Sequence, residues 1–211
     1  MTMEHPWTRF VALGDSITEG YGMDPVEGVE HLPWARRVAR GLAETQPRLE
    51  FLNLGRRNLR TAQIRDTQLE PAVAFAPDLV SIAAGPNDLL DPEFDPARIE
   101  RELEPLYASF ADSGATVFTF TYMNMPASGL FPADGARVLA ERMEALHEAI
   151  RANADRFGAL LVDIYADPES ANPAFYSADL QHANARGQAF VAERVLAALE
   201  AHLAGEAARA A

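Results

Sequence analysis

The chain has 211 residues, 48% of them hydrophobic and 23% charged, the composition of a folded domain and not of a disordered segment. Eighteen Lys and Arg stand against 31 Asp and Glu, and the resulting net charge of -13 would repel nucleic-acid phosphates or an anionic membrane surface. There is no cysteine, which excludes disulfides, thiolate catalysis and zinc–thiolate sites.

Residues 1–211 are expected to form one domain, with its core between about residues 8 and 203. Met1 to Trp7 is polar, and the first apolar run, Phe10–Leu13, is too short for a secretory h-region or a membrane span. A cytoplasmic protein with no stable membrane insertion is the expectation. Phe10–Leu13 is the first candidate strand, and Gly14-Asp15-Ser16-Ile17-Thr18-Glu19-Gly20 follows it. A serine directly after a buried strand suits a nucleophile, because a rigid element holds it at the sheet edge. Ser16 with Glu19 is equally an S-x-x-E capping box, and this motif alone does not choose. Asp15 reads as a turn and hydrogen-bonding residue.

Pro33 marks the start of a helix and Gly41 lies near its end. The second candidate strand, Leu49–Leu54, closes in Asn53-Leu54-Gly55. Glycine lets its N–H approach a ligand closely, although a glycine at a strand end is more often a plain turn. The third, Leu79–Ala84, runs into Gly85-Pro86-Asn87-Asp88, a set of turn residues that includes an uncharged amide donor.

Pro96 opens a helix whose Ile99, Leu103, Leu106 and Phe110 recur at helical spacing, with Gly114 at its end. After the fourth strand, Thr116–Thr121, the stretch Tyr122-Met123-Asn124-Met125-Pro126 to Phe131 is apolar for a loop. It reads either as the wall of an adaptable pocket or as packing against the next helix. That helix carries Leu139, Met143, Leu146 and Ile150, and Gly158 ends it. A fifth strand, Leu160–Ile164, precedes a loop containing Asp179-Leu180-Gln181-His182, and a last helix spans about Ala185–Leu203. The alanine-rich tail beyond Leu203 is expected to fray.

Five strands alternating with helices imply an α/β fold, a parallel sheet covered on both faces. Such sheets keep their chemistry beyond the carboxyl ends of the strands. Four of the five histidines, His5, His31, His147 and His202, lie at the chain start, before a helix or within helices, and read as solvated or packed. His182 alone sits in a post-strand loop with a carboxylate three residues earlier. Histidine titrates near neutrality and so suits the base that a serine nucleophile needs, with aspartate to orient it; a capping aspartate beside an idle histidine is the other reading.

Taken together, Gly14-Asp15-Ser16, Asn53-x-Gly55, Gly85-x-Asn87-Asp88 and Asp179-x-x-His182 stand in order after strands of one sheet. This conjunction resembles the SGNH hydrolases, also called the GDSL esterase/lipase family, from Phe10 to about residue 200. The resemblance implies a three-layer α/β/α sandwich with a five-stranded parallel sheet in the flavodoxin-like order 2-1-3-4-5. It implies a serine esterase or acylhydrolase acting on small-molecule esters, with Ser16, His182 and Asp179 as catalytic triad. The backbone N–H groups of Ser16 and Gly55 and the Asn87 side chain would form the oxyanion hole, and no metal or organic cofactor is called for. Two positions depart from the family pattern: Ile17 where the namesake motif has leucine, and Ala183 where proline commonly follows the histidine. The latter puts the rigidity of that loop in question. A metal-dependent phosphoesterase built on Asp15, Asn87, Asp88, Asp179 and His182 is the rival enzyme reading, weakened by its single histidine. A non-catalytic ligand-binding module is the other.

Overall fold

A computed structural model describes residues 4–210. The apolar runs become β1 (Arg9–Gly14), β2 (Glu50–Asn53), β3 (Leu79–Ala83), β4 (Thr116–Phe120) and β5 (Leu160–Val162). All pair in parallel, in the order β2-β1-β3-β4-β5. Val11 of β1 registers with Leu52 on one side and Val80 on the other. From Phe10 onward β1 is buried, and β3 is buried throughout. Covered on both faces, these central strands read as continuous apolar runs and not as alternation.

The helices are α1 (Ser16–Glu19), α2 (Trp34–Ala43), α3 (Thr61–Ala74), α4 (Pro96–Ala111), α5 (Ala133–Phe157) and α6 (Ala185–Ala210). Helix α2 packs on α6, while α3, α4 and α5 pack in series, so the sheet is covered on both sides. Their ends follow local chemistry. Pro96 occupies the first position of α4 behind Asp95, whose carboxylate accepts from the N–H groups of Ala97 and Arg98. Gly158 ends α5 in the left-handed conformation, at φ 67°.

The last helix runs further than its sequence expectation. It continues past Leu203 to Ala210, because an alanine-rich stretch is a strong helix former and Arg209 lies near the negative end of the helix dipole. Helix α3 gives a weak apolar signal because half of its buried stripe, Thr61, Ile64, Gln68 and Ala72, is polar. Among the described residues no helix is long and apolar enough to cross a membrane.

Candidate active site

The parallel sheet delivers Ser16, Asn87 and the Met123 stretch to one edge, after β1, β3 and β4. Gly14, the last residue of β1, is held at both backbone groups by one buried side chain: Gln68 Oε1 accepts its N–H at 2.8 Å and Gln68 Nε2 donates to its carbonyl at 2.8 Å. A Cβ on Gly14 would fall 2.2 Å from Thr18 Oγ1 and 2.7 Å from the Ala83 carbonyl, so glycine is needed there. Asp15 caps α1, its Oδ1 accepting from the Ile17 N–H at 2.9 Å. Ser16 is therefore the first helical residue and not the cap. The capping box does not form, and Glu19 accepts instead from the Arg57 N–H.

The Ser16 hydroxyl is free to turn elsewhere, and its Oγ lies 3.0 Å from His182 Nε2. On the far side of the ring, His182 Nδ1 is 2.6 Å from Asp179 Oδ2. A carboxylate only accepts, so Nδ1 carries the hydrogen and Nε2 is left to accept from the serine hydroxyl. Burial pushes the Asp179 carboxyl up. Hydrogen bonds from the Gln181 N–H, the His182 ring and the His182 N–H outweigh it and hold the group below its ordinary value, ionised. Leu180, between the two residues, takes a positive φ of 53°, the tight turn that brings an i, i+3 pair face to face.

Ala183 costs this loop little rigidity, because Asn184 supplies it. Its Nδ2 donates to the carbonyls of Ala174 and Tyr176, and its Oδ1 accepts from the N–H groups of Arg186 and Gly187 at the start of α6. Asp24 adds a tie from the other side, accepting from the Ala178 N–H at 2.7 Å. Gly22 completes the seat of the imidazole. At φ 71° it lies so close that a Cβ would fall 2.4 Å from His182 Nδ1. Gln68, Asn184 and Gly22 carry no motif signal, since their roles depend on residues distant in sequence.

Asn87 and Gly55 are placed differently. Asn87 lies on the cavity wall, with Nδ2 donating to Asp15 Oδ2 at 3.1 Å and to the Leu59 carbonyl at 3.0 Å. The Gly55 N–H is turned to Asn53 Oδ1 at 2.9 Å, and Gly55 is not among the residues lining the cavity. Asp88, beside Asn87, accepts from both the N–H and the hydroxyl of Thr61 and so anchors α3. Asp15 is 1% exposed. Burial pushes its carboxyl up to about 7, against the pull of the Ile17 N–H and the field of His182. Among the described residues no three His, Asp or Glu side chains gather as a metal site would require. The remaining histidines serve packing and local contacts: His147 is fully buried and accepts from the Tyr122 N–H, its pKa lowered to about 4 by burial and by Arg151.

A cavity of about 220 Å³ opens beside Ser16 and His182. Leu89, Phe120, Met123, Met125, Phe131 and Met143 are among its walls, so the apolar stretch after β4 lines a pocket.

The sequence matches the GDSL-like Lipase/Acylhydrolase family over residues 12–190. No curated protein matches it. Among solved structures, an alpha/beta hydrolase enzyme from the metagenome of Lake Arreo, Spain, is 25% identical with a TM-score of 0.72, over 90% of this chain and 94% of that one. An acetylxylan esterase from Geobacillus stearothermophilus is 20% identical with a TM-score of 0.69, over 94% and 96%. An esterase from Pseudoalteromonas sp., solved with monoethylphosphonate as inhibitor, is 14% identical with a TM-score of 0.69, over 93% and 98%. The last two likenesses are of fold.

Proposed function

The chain belongs to the GDSL-like lipase/acylhydrolase family, and from that premise we propose that it hydrolyses carboxylic esters through an acyl-enzyme on Ser16. The observation that carries this reading is the continuous run from Ser16 Oγ through the His182 ring to Asp179, at 3.0 and 2.6 Å, beside an apolar cavity. Ser16 Oγ attacks the ester carbonyl while His182 Nε2 takes its proton, and Asp179 stabilises the imidazolium that forms. The C–O bond to the alcohol then breaks, with His182 returning the proton to the leaving oxygen. Water, deprotonated by the same nitrogen, attacks the acyl-enzyme and releases the acid. Ser16 and Asn87 line the cavity, so the Ser16 N–H and the Asn87 amide serve as oxyanion donors, and the Gly55 N–H would join them only by giving up part of its bond to Asn53 Oδ1. Each step uses the chain's own side chains and backbone N–H groups together with water.

The cavity receives the acyl group. At about 220 Å³ it is smaller than the roughly 300–1,000 Å³ that encloses a drug-sized ligand. It suits one apolar arm of an ester, with the alcohol left outside. Substitution of Ser16 by alanine tests the reading. Turnover of a nitrophenyl ester should vanish with the melting temperature unchanged, since the α1 cap is Asp15. An organophosphate should add its phosphoryl mass to Ser16 in the wild type, and a chelator should leave activity intact. Turnover surviving in Ser16→Ala, or lost to the chelator, would sink it.

A further inference from the structure

The Asp15 carboxylate is buried at the meeting of the β1 and β3 ends, and its two oxygens do different things. Oδ1 holds the Ile17 N–H, one residue from the nucleophile; Oδ2 holds the amide of Asn87, which arrives on a separate strand. We propose that Asp15 is a positioning residue for the oxyanion site, fixing both the distance from Ser16 to Asn87 and the edge of the Asn87 amide turned toward the cavity. The inference rests on the esterase reading above.

An asparagine amide has nearly the same shape either way round, so only its partners decide which end is which. Asn87 Nδ2 faces two acceptors, Asp15 Oδ2 and the Leu59 carbonyl. Rotated by half a turn, the amide would set its own oxygen against the Leu59 carbonyl and, with Asp15 ionised, against a carboxylate, two acceptor–acceptor contacts. The donor edge is thereby locked on the side where Asp15, Ser16 and Asn87 all border the cavity. When Ser16 attacks, one N–H of Asn87 is shared in a three-centre bond between Asp15 Oδ2 and the developing oxyanion.

Capping alone does not call for aspartate. Serine or asparagine would cap α1 as well. Only a carboxylate can cap with one atom and still present an acceptor with the other, because the second atom of asparagine is a donor. Asp15 makes no hydrogen bond to Ser16 Oγ or to the His182 ring. Its effect therefore passes through Asn87. Three ionisable groups lie in its field, His182, Asp88 and Tyr122.

Asp15→Asn and Asp15→Ser, each alone and combined with Asn87→Ala, test this on a nitrophenyl ester. Removing an oxyanion donor typically lowers kcat by about 10²- to 10³-fold, so Asn87→Ala should fall in that range with KM nearly unchanged. Asp15→Asn sets an NH₂ group against the Asn87 NH₂ group and should cost a comparable factor in kcat, again at constant KM. Asp15→Ser leaves the amide unheld and should cost less. Both double variants should be no slower than Asn87→Ala alone. Wild-type kcat in both single variants would reduce Asp15 to a cap and overturn the proposal. Losses that multiply in the double variants would also overturn it, and a shift in the acid limb of the rate profile would then assign the effect to His182. If Asp15→Asn does not fold, the Asp15→Ser cycle decides between the same two outcomes. An inactive, phosphonate-resistant Ser16→Ala combined with a multiplicative cycle removes this proposal and leaves the esterase reading standing.

Discussion

Substituting Gly22 by alanine probes how tightly the imidazole is seated. The new Cβ would fall 2.4 Å from His182 Nδ1 and 2.6 Å from Cγ, where ordinary contact begins at 3.4 Å. The ring would have to withdraw by about 1 Å, and a misplacement of that size costs about 10²-fold in rate, or roughly 2.7 kcal/mol. It cannot withdraw without giving up either Asp179 at 2.6 Å or Ser16 at 3.0 Å. The backbone adds a separate cost, since alanine at φ 71° loses about 1–2 kcal/mol of stability. Gly28→Ala isolates that part: Gly28 has a φ of 73° and nothing within 4 Å of its Cβ position. Steady-state kinetics on a nitrophenyl ester and thermal melts of both variants are the assay. Both should melt lower, and only Gly22→Ala should lose about 10²-fold in kcat. A Gly22→Ala enzyme as fast as Gly28→Ala would refute the reasoning and leave His182 with a looser seat.

Gln68→Leu removes the partner of the buried Gly14 N–H and should cost about 1–3 kcal/mol in urea unfolding; an unchanged midpoint would mean that β1 ends without help from α3. Esters of graded acyl length should gain in kcat/KM with each added methylene, by at most about 0.8 kcal/mol each. The gain should stop once the cavity of about 220 Å³ is full, at roughly seven groups of water-like volume. A series falling steadily from acetate would take the acyl chain out of it. The Asp15 carboxyl, raised to about 7 from an ordinary 3.8, keeps its proton in the folded chain where the unfolded chain has lost it. Its contribution to stability is thus full below pH 3.8 and is lost as the pH rises through about 7. Measured against Asp15→Asn, wild-type stability should decline across that window and level off above it, and a pH-independent difference would show that Asp15 ionises freely in the folded state.

Local chemistry made much of this protein legible without a structure. The strands could be read because a parallel sheet covered on both faces demands short apolar runs, and Phe10–Leu13 and Leu79–Ala84 have no other use. Ser16, Asn87, Asp179 and His182 stood out because each is a polar residue at a place where such a sheet turns into loop, and the order of their blocks carried the family. Tertiary structure decided what composition leaves degenerate. Whether Ser16 caps a helix or faces a base depends on Asp15 taking the cap and on His182 arriving from 166 residues away. Helix α3 sends Ile64 and Ala72 into the apolar core while Gln68 and Thr61 answer to Gly14 and Asp88, so its stripe is only half apolar. The seat made by Gly22, the ties of Asn184 and the two-sided grip of Asp15 are distances between segments remote in sequence. A sequence specifies such distances only through the packing of the whole chain, and no local pattern records them.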